Sequence, residues 1–154
     1  MAEVDDFLAE VLRTVRAADV AFHNGDPGPR VDLWSHEKPV TFFGANFTKS
    51  GWDELAPTFQ SLASKFSHLG GYEVEIIGAG VSGDLGYIVA KEHETTTVGG
   101  AAPEAYTLRA TTIFRRENGR WRQVHRHADP VPDSSNAETA RRQLSRLDEP
   151  APSR

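Results

Sequence analysis

Val4, Phe7, Leu8, Val11, Leu12, Val15 and Phe22 recur at helical intervals, so they form one apolar stripe of a long amphipathic helix. Glu3, Asp5 and Asp6 sit in its first turn, where negative charge suits the helix dipole. Asn24-Gly25-Asp26-Pro27-Gly28-Pro29 ends the helix, because two prolines and two glycines disfavour its continuation. A short second helix is predicted over Pro29 to Trp34, and Val40 to Phe43 reads as a brief strand. Ser50-Gly51-Trp52-Asp53 opens a third helix, carried by Trp52, Leu55, Phe59, Leu62, Phe66 and Leu69 and stopped at Gly70-Gly71. Pro57 lies within that stretch and predicts either a kink or a later start.

From Tyr72 the period changes from 3.6 to 2, the alternation of a half-buried strand. Four β segments follow: Tyr72 to Val81, Leu85 to Thr95, Tyr106 to Arg116 and Arg120 to Asp129. Ser82-Gly83-Asp84 and Asn118-Gly119 are tight-turn sequences, so the strands they join are antiparallel. Val98 to Ala105 is a longer loop of small residues. Helices followed by a run of long strands imply an α+β architecture, with three helices of the N-terminal half packed on one side of a mostly antiparallel sheet. Gly78, Gly80 and Gly86 fall inside strands, where glycine marks bulges and bends, so the sheet is expected to curve around a pocket. Residues 1–131 read as one domain, and 132–154 as a polar tail, disordered or carrying a loosely attached short helix.

Composition narrows the function classes. A chain of 154 residues can bury a sizeable core as one domain. It has no cysteine, hence no disulfide framework or thiolate chemistry, which fits the cytoplasm. A net charge of −5, with only local pairs at Arg115-Arg116 and Arg141-Arg142, gives no basic face for nucleic acid. No apolar run approaches membrane-spanning length, and no signal peptide is evident. No nucleotide-binding fingerprint or nucleophile elbow occurs, and no cofactor is expected.

The last predicted strand carries the candidate chemistry. A strict two-residue period places Trp121, Gln123, His125, His127 and Asp129 on one face, with Arg122, Val124, Arg126 and Ala128 on the other. If the first face lines the pocket, either imidazole can act as a general base near neutral pH while the other donates to a developing enolate. The same histidines can instead cap the polar end of a pocket without chemistry, or with Asp129 hold a metal, although alternation alone gives no sign of convergence. Arg109 and Thr111 share a face of the preceding strand. An arginine inside a sheet needs a partner, and an ion pair to Glu92 or Asp129 is preferred over a substrate carboxylate or enolate. Trp34 and Trp52 suit either an aromatic pocket wall or the core.

Taken together, Gly25-Asp26 after the first helix, Leu33-Trp34-Ser35, Gly51-Trp52, Tyr106-Thr107-Leu108-Arg109-Ala110-Thr111 and Gly119-Arg120-Trp121-Arg122-Gln123-Val124-His125-Arg126-His127 resemble the SnoaL-like, ketosteroid-isomerase-like branch of the nuclear transport factor 2-like superfamily. The resemblance spans Val4 to Asp129. It implies a cone-shaped fold with a deep pocket and a homodimer built on the outer face of the sheet. It does not imply one activity, because this fold serves isomerases, cyclases, dehydratases, epoxide hydrolases and non-catalytic domains. Ketosteroid isomerases place a carboxylate near the first strand and a tyrosine on the first helix; here Thr41-Phe42-Phe43-Gly44 and a helix without tyrosine stand there.

The expectation is therefore a small-molecule pocket protein, a cofactor-independent acid–base enzyme on a hydrophobic carbonyl or polyketide-like substrate. His125, His127 and Asp129 are its candidate catalytic residues, and Trp34, Trp52, Arg109, Thr111 and Gln123 its candidate binding residues. The alternative is a non-catalytic homodimeric ligand-binding or assembly domain.

Overall fold

The computed structural model describes residues 2–148. Helix α1 (Ala2–Phe22) is followed by α2 (Gly28–Leu33), the hairpin β1 (Thr41–Gly44) and β2 (Phe47–Ser50), and α3 (Trp52–Ala63). Four long strands succeed them: β3 (Phe66–Ser82), β4 (Leu85–Val98), β5 (Glu104–Glu117) and β6 (Arg120–Pro130). Helix α4 (Ser134–Ser145) and a 3-10 turn (Arg146–Asp148) close the described chain. No helix among the described residues is long and apolar enough to cross a membrane.

The six strands form one sheet in the order β2-β1-β6-β5-β4-β3. All neighbours are antiparallel except β1 and β6, which run parallel with Phe43 opposite His127. Because sequential strands pair from β3 to β6, each tight turn fixes its own register. Asn118 and Gly119 both adopt positive φ, 51° and 78°, as an Asn-Gly hairpin turn requires.

The apolar stripe of α1 packs on the sheet through Phe7 and Val11, which meet Ile88, Ala90, Phe114 and Trp121. Phe7 stands edge-on to Trp121 at 4.8 Å and to Phe114 at 5.5 Å. Gly86 lies beneath that ring: a Cβ there would come within 2.8 Å of Phe7, so the glycine lets helix and sheet approach. A second cluster joins Phe22, Trp34, Phe42, Leu55, Phe59 and Phe66 between the helices and the β1–β6 end of the sheet. The concave face is thus covered by α1, α2 and α3.

Three elements differ from the sequence reading. Strand β2 was not anticipated. Helix α3 starts at Trp52, runs through Pro57 and stops at Ala63, so Phe66 to Gly71 belong to β3. Phe66 and Leu69 fit a helical stripe, but pairing of Phe66 with Val98 and Ser67 with Thr97 overrides it. Register is lost between Ser67 and Gly71, where His68 takes a left-handed φ of 53°, so Gly70-Gly71 sits at an irregularity in a strand instead of a helix end. Finally, the polar C-terminal stretch contains α4, packed against β5 and β6 with Ala140 and Gln143 fully buried and Leu147 nearly so. The part of that stretch after Asp148 lies outside the described residues.

Candidate functional site in the cone

The row expected on β6 is broken by one residue. Ile113 of β5 pairs with His125, whereas Phe114 pairs with Gln123, so Val124 is extra and forms a bulge. Side chains on either side of a bulge lose their common face. Trp121 and Gln123 point inward and are buried, whereas His125, His127 and Asp129 lie on the outer face with Arg109 and Thr111. This corrects the single row, and it moves the three candidate catalytic groups away from the interior.

Each predicted residue has a defined place. His125 Nδ1 is 2.6 Å from the Thr41 hydroxyl, and Phe43 stands edge-on to both His125 and His127 at 5.5 and 5.8 Å. Burial and the neighbouring His127 push the His125 pKa below its ordinary value, against a smaller upward pull from Thr41. Asp129 accepts two hydrogen bonds of 2.9 Å from Arg109, the expected structural ion pair, in an exposed position. Thr111 is exposed opposite His127. Trp34 is fully buried between Phe42 and Phe59, a core anchor. Trp52 is half-buried and stacks on His36 at 3.8 Å. The Gln123 carbonyl accepts from the Ser35 amide.

The interior holds a cluster that strand alternation on β6 alone did not reveal. Asp19 of α1 and His23, the residue just after that helix, lie one turn apart and point toward the sheet. Arg30 of α2 donates to Asp19 Oδ1 at 2.9 Å, and Tyr72 of β3 donates to Asp19 Oδ2 at 2.5 Å. Arg126 of β6 grips Glu92 of β4 with two bonds of 2.7 and 2.6 Å. His23 places Nδ1 2.7 Å from the Asp19 carbonyl and Nε2 3.0 Å from Glu94, which also accepts from the Tyr106 hydroxyl at 3.0 Å. Asp19, His23, Arg30, Glu92, Glu94 and Tyr106 are buried, and Arg126 nearly so. No buried side-chain polar atom among the described residues lacks a partner.

Charge pairing explains why this cluster is tolerated, since an isolated buried charge would shift its pKa and neutralise. Burial alone would push His23 down, but the Glu94 carboxylate, which also accepts its hydrogen bond, outweighs it and holds the imidazole above its ordinary value. Burial likewise raises Glu94 and Asp19. The charges of His23 and Arg126 on the first, and of Arg30, Arg126 and His23 on the second, reverse the sign and leave both carboxyls below their ordinary values. His23 with Nδ1 donating to a carbonyl and Nε2 donating to a carboxylate is an imidazolium. Three cations (His23, Arg30, Arg126) then face three anions (Asp19, Glu92, Glu94). Burial and nearby acids raise Tyr72 and Tyr106, keeping both hydroxyls as donors.

A legible signal existed. Ile88, Ala90, Glu92, Glu94 and Thr96 alternate along β4, so the two acids continue an inward apolar face. Asp19 and His23 similarly continue the buried side of α1 past Val11 and Ala18.

Next to the cluster lies a cavity of about 60 Å³, lined by His23, Arg30, Glu94, Tyr106 and Arg126 on its polar side. Its apolar walls include Phe42, Leu62 and Phe66, and Leu144 and Leu147 stand on its α4 side. It holds a few waters at most. A separate cleft of about 270 Å³ lies between α1 and β3 to β5, walled by Leu12, Val15, Val74 and Ile76.

A curled sheet with three helices on its concave side and a charged inner cavity defines a cone-shaped pocket protein. The SnoaL-like domain matches residues 4–133, and the chain belongs to that family. Solved structures agree on the fold. A Streptomyces avermitilis protein of the NTF2-like family, provisionally assigned as a dehydratase, superposes with a TM-score of 0.65 at 20% identity, covering 84% of this chain and 99% of that one. A provisionally assigned ketosteroid isomerase from Parabacteroides distasonis gives 0.61 at 12% identity, over 80% and 87%. A provisionally assigned calcium/calmodulin-dependent protein kinase type II association domain from Thiobacillus denitrificans gives 0.60 at 22% identity, over 77% and 92%. No curated protein matches the chain significantly.

Proposed function

We propose that this chain binds a compact carbonyl compound in the inner cavity and acts on it, without cofactor, by proton transfer of the isomerase or dehydratase kind. The observation that carries this reading is His23, a buried imidazolium clamped between the Asp19 carbonyl and Glu94 at the wall of a cavity that also receives Arg30, Tyr106 and Arg126. A raised imidazole pKa keeps an acid available near neutral pH, and Glu94 is the acceptor to which the proton is already hydrogen-bonded. A substrate oxygen entering between them takes the proton from His23, and Glu94, freed from its partner, receives a proton from the adjacent carbon. Tyr106 and Arg126 supply donors for the developing oxyanion. The catalytic role thus moves from the outer histidines to the inner one.

The test is exchange of the α-protons of small ketones with deuterium, followed by NMR. His23→Gln retains a hydrogen-bonding side chain but no titratable group, and the exchange is expected to fall roughly 100-fold or more. Equal rates in wild type and variant refute the reading.

A second reading, a homodimeric binding or assembly domain without chemistry, is favoured by the outer sheet face. Ile77, Tyr87 and Val89, on the paired strands β3 and β4, are exposed at 58%, 47% and 37%. In either reading the face is proposed to pair with a second copy. Tyr87→Glu is expected to convert a dimer to a monomer in analytical ultracentrifugation; a monomeric wild type refutes the pairing.

A further inference from the structure

The cavity has one wall that does not belong to the cone. Leu144 and Leu147 come from α4 and the turn after it, beyond the family match, which ends at residue 133. The helix is polar apart from a single stripe, Ala137, Ala140, Leu144 and then Leu147, at intervals of three, four and three. Its apolar contribution to the fold is therefore concentrated in the residues that face the cavity and β5.

The segment is anchored at both ends. At the start, Asp133 caps the helix, and Asn136 clamps the backbone of β5: its Oδ1 accepts from the Thr107 amide at 2.7 Å and its Nδ2 donates to the Thr107 carbonyl at 3.0 Å. A further bond of 2.9 Å ties Asn136 to the Val131 carbonyl. At the far end Gln143 is fully buried and donates to the Ala102 carbonyl and to Glu104, and Leu147 is nearly buried. Arg142 with Glu104, Asp148 with Asn46, and Lys65 with the Leu147 carbonyl add further side-chain links. This packing fixes Leu144 and Leu147 in the cavity wall beside Gly44, Ala45 and Phe47.

We propose that Leu144 and Leu147 are specificity-determining residues, which set the size of the molecule admitted to the cavity. The proposal deepens the inner-cavity reading and rests on it for the ligand class. A space of about 60 Å³ suits only a small ligand, and Leu144 and Leu147 form part of its wall. Truncating the two leucines leaves room where they stood.

The test uses the full chain as wild type, Leu144→Ala/Leu147→Ala and Leu144→Phe, with methyl ketones from butanone to decanone as probes. The double variant is expected to bind octan-2-one roughly tenfold more tightly than wild type, the gain when about two further methylenes find cover. Leu144→Phe is expected to shorten the longest ketone bound, and it keeps the question decidable should the double variant fail to fold. Identical chain-length limits in all folded proteins overturn the proposal. A readout that needs no ligand is deuterium exchange at the imidazole C2 of His23. It is expected to rise roughly tenfold when the leucines are truncated, with the outward His127 unchanged, because opening exposes only the inner ring. Unchanged His23 exchange shows that the two leucines do not close the cavity and overturns the proposal. If no ketone binds any protein while His23 exchange rises, the carbonyl reading fails and the wall stands.

Discussion

Replacing Arg126 with methionine is expected to destabilise the fold by about 3–5 kcal/mol, the usual result of stripping one partner from a buried ion pair. The guanidinium holds both carboxylate oxygens of Glu92, and its charge also steadies Asp19 and Glu94. Its loss leaves three acids facing His23 and Arg30. Removing both members of the pair, Glu92→Met with Arg126→Met, restores the charge balance and is expected to recover most of the loss, because the desolvation cost of the ions disappears with them. Urea denaturation of the two variants measures this directly, and a single variant as stable as the double one would show that Glu92 is not charged. Arg109→Ala, which removes the exposed pair with Asp129, is expected to leave stability unchanged within error.

Stability is expected to fall on both sides of a plateau, and His23 shapes the alkaline side. Its folded pKa is raised, so the stabilisation it gives is fully present below about 6.5 and is lost as pH rises through the folded value, when the imidazolium releases its proton and the Glu94 pair loses its charge. Asp19 and Glu94 have lowered folded pKa values. Their contribution is present above about 4 and is lost as pH falls through those folded values. The difference in unfolding free energy between wild type and His23→Gln should therefore shrink from pH 6 toward alkaline pH. A difference that is constant across that range contradicts an imidazolium at position 23.

The sequence carried the architecture further than the site. The succession of four long strands, the hairpin at Asn118-Gly119 and the stripe of α1 follow from local periodicity and turn chemistry, which act over a few residues. The end of α3 did not, because Phe66 and Leu69 continue the helical spacing and only pairing of Phe66 with Val98 overrides it. The same limit hid the site. Glycine often announces a bulge, but the one on β6 falls at Val124, flanked by Gln123 and His125, with no residue that requires it. A shift of one position was enough to turn His125, His127 and Asp129 outward and Arg126 inward. The ion cluster needed two elements at once: acids on the inward period of β4, and Asp19 with His23 on the buried side of α1. Neither pattern is conspicuous until α1 is laid across the sheet.

The irregularities of β3 bear on how molecules of this protein meet. This strand is an edge of the sheet, seventeen residues long, and a flat edge of that length invites backbone pairing with any neighbour. Two register breaks, at Ser67/Gly71 and Ile76/Gly78, interrupt its free rim, and Glu73 and Glu75 stand exposed between them. A second chain offered to that rim finds no long run of evenly spaced donors and acceptors, and meets negative charge midway. Edge-to-edge growth into fibres is thereby discouraged.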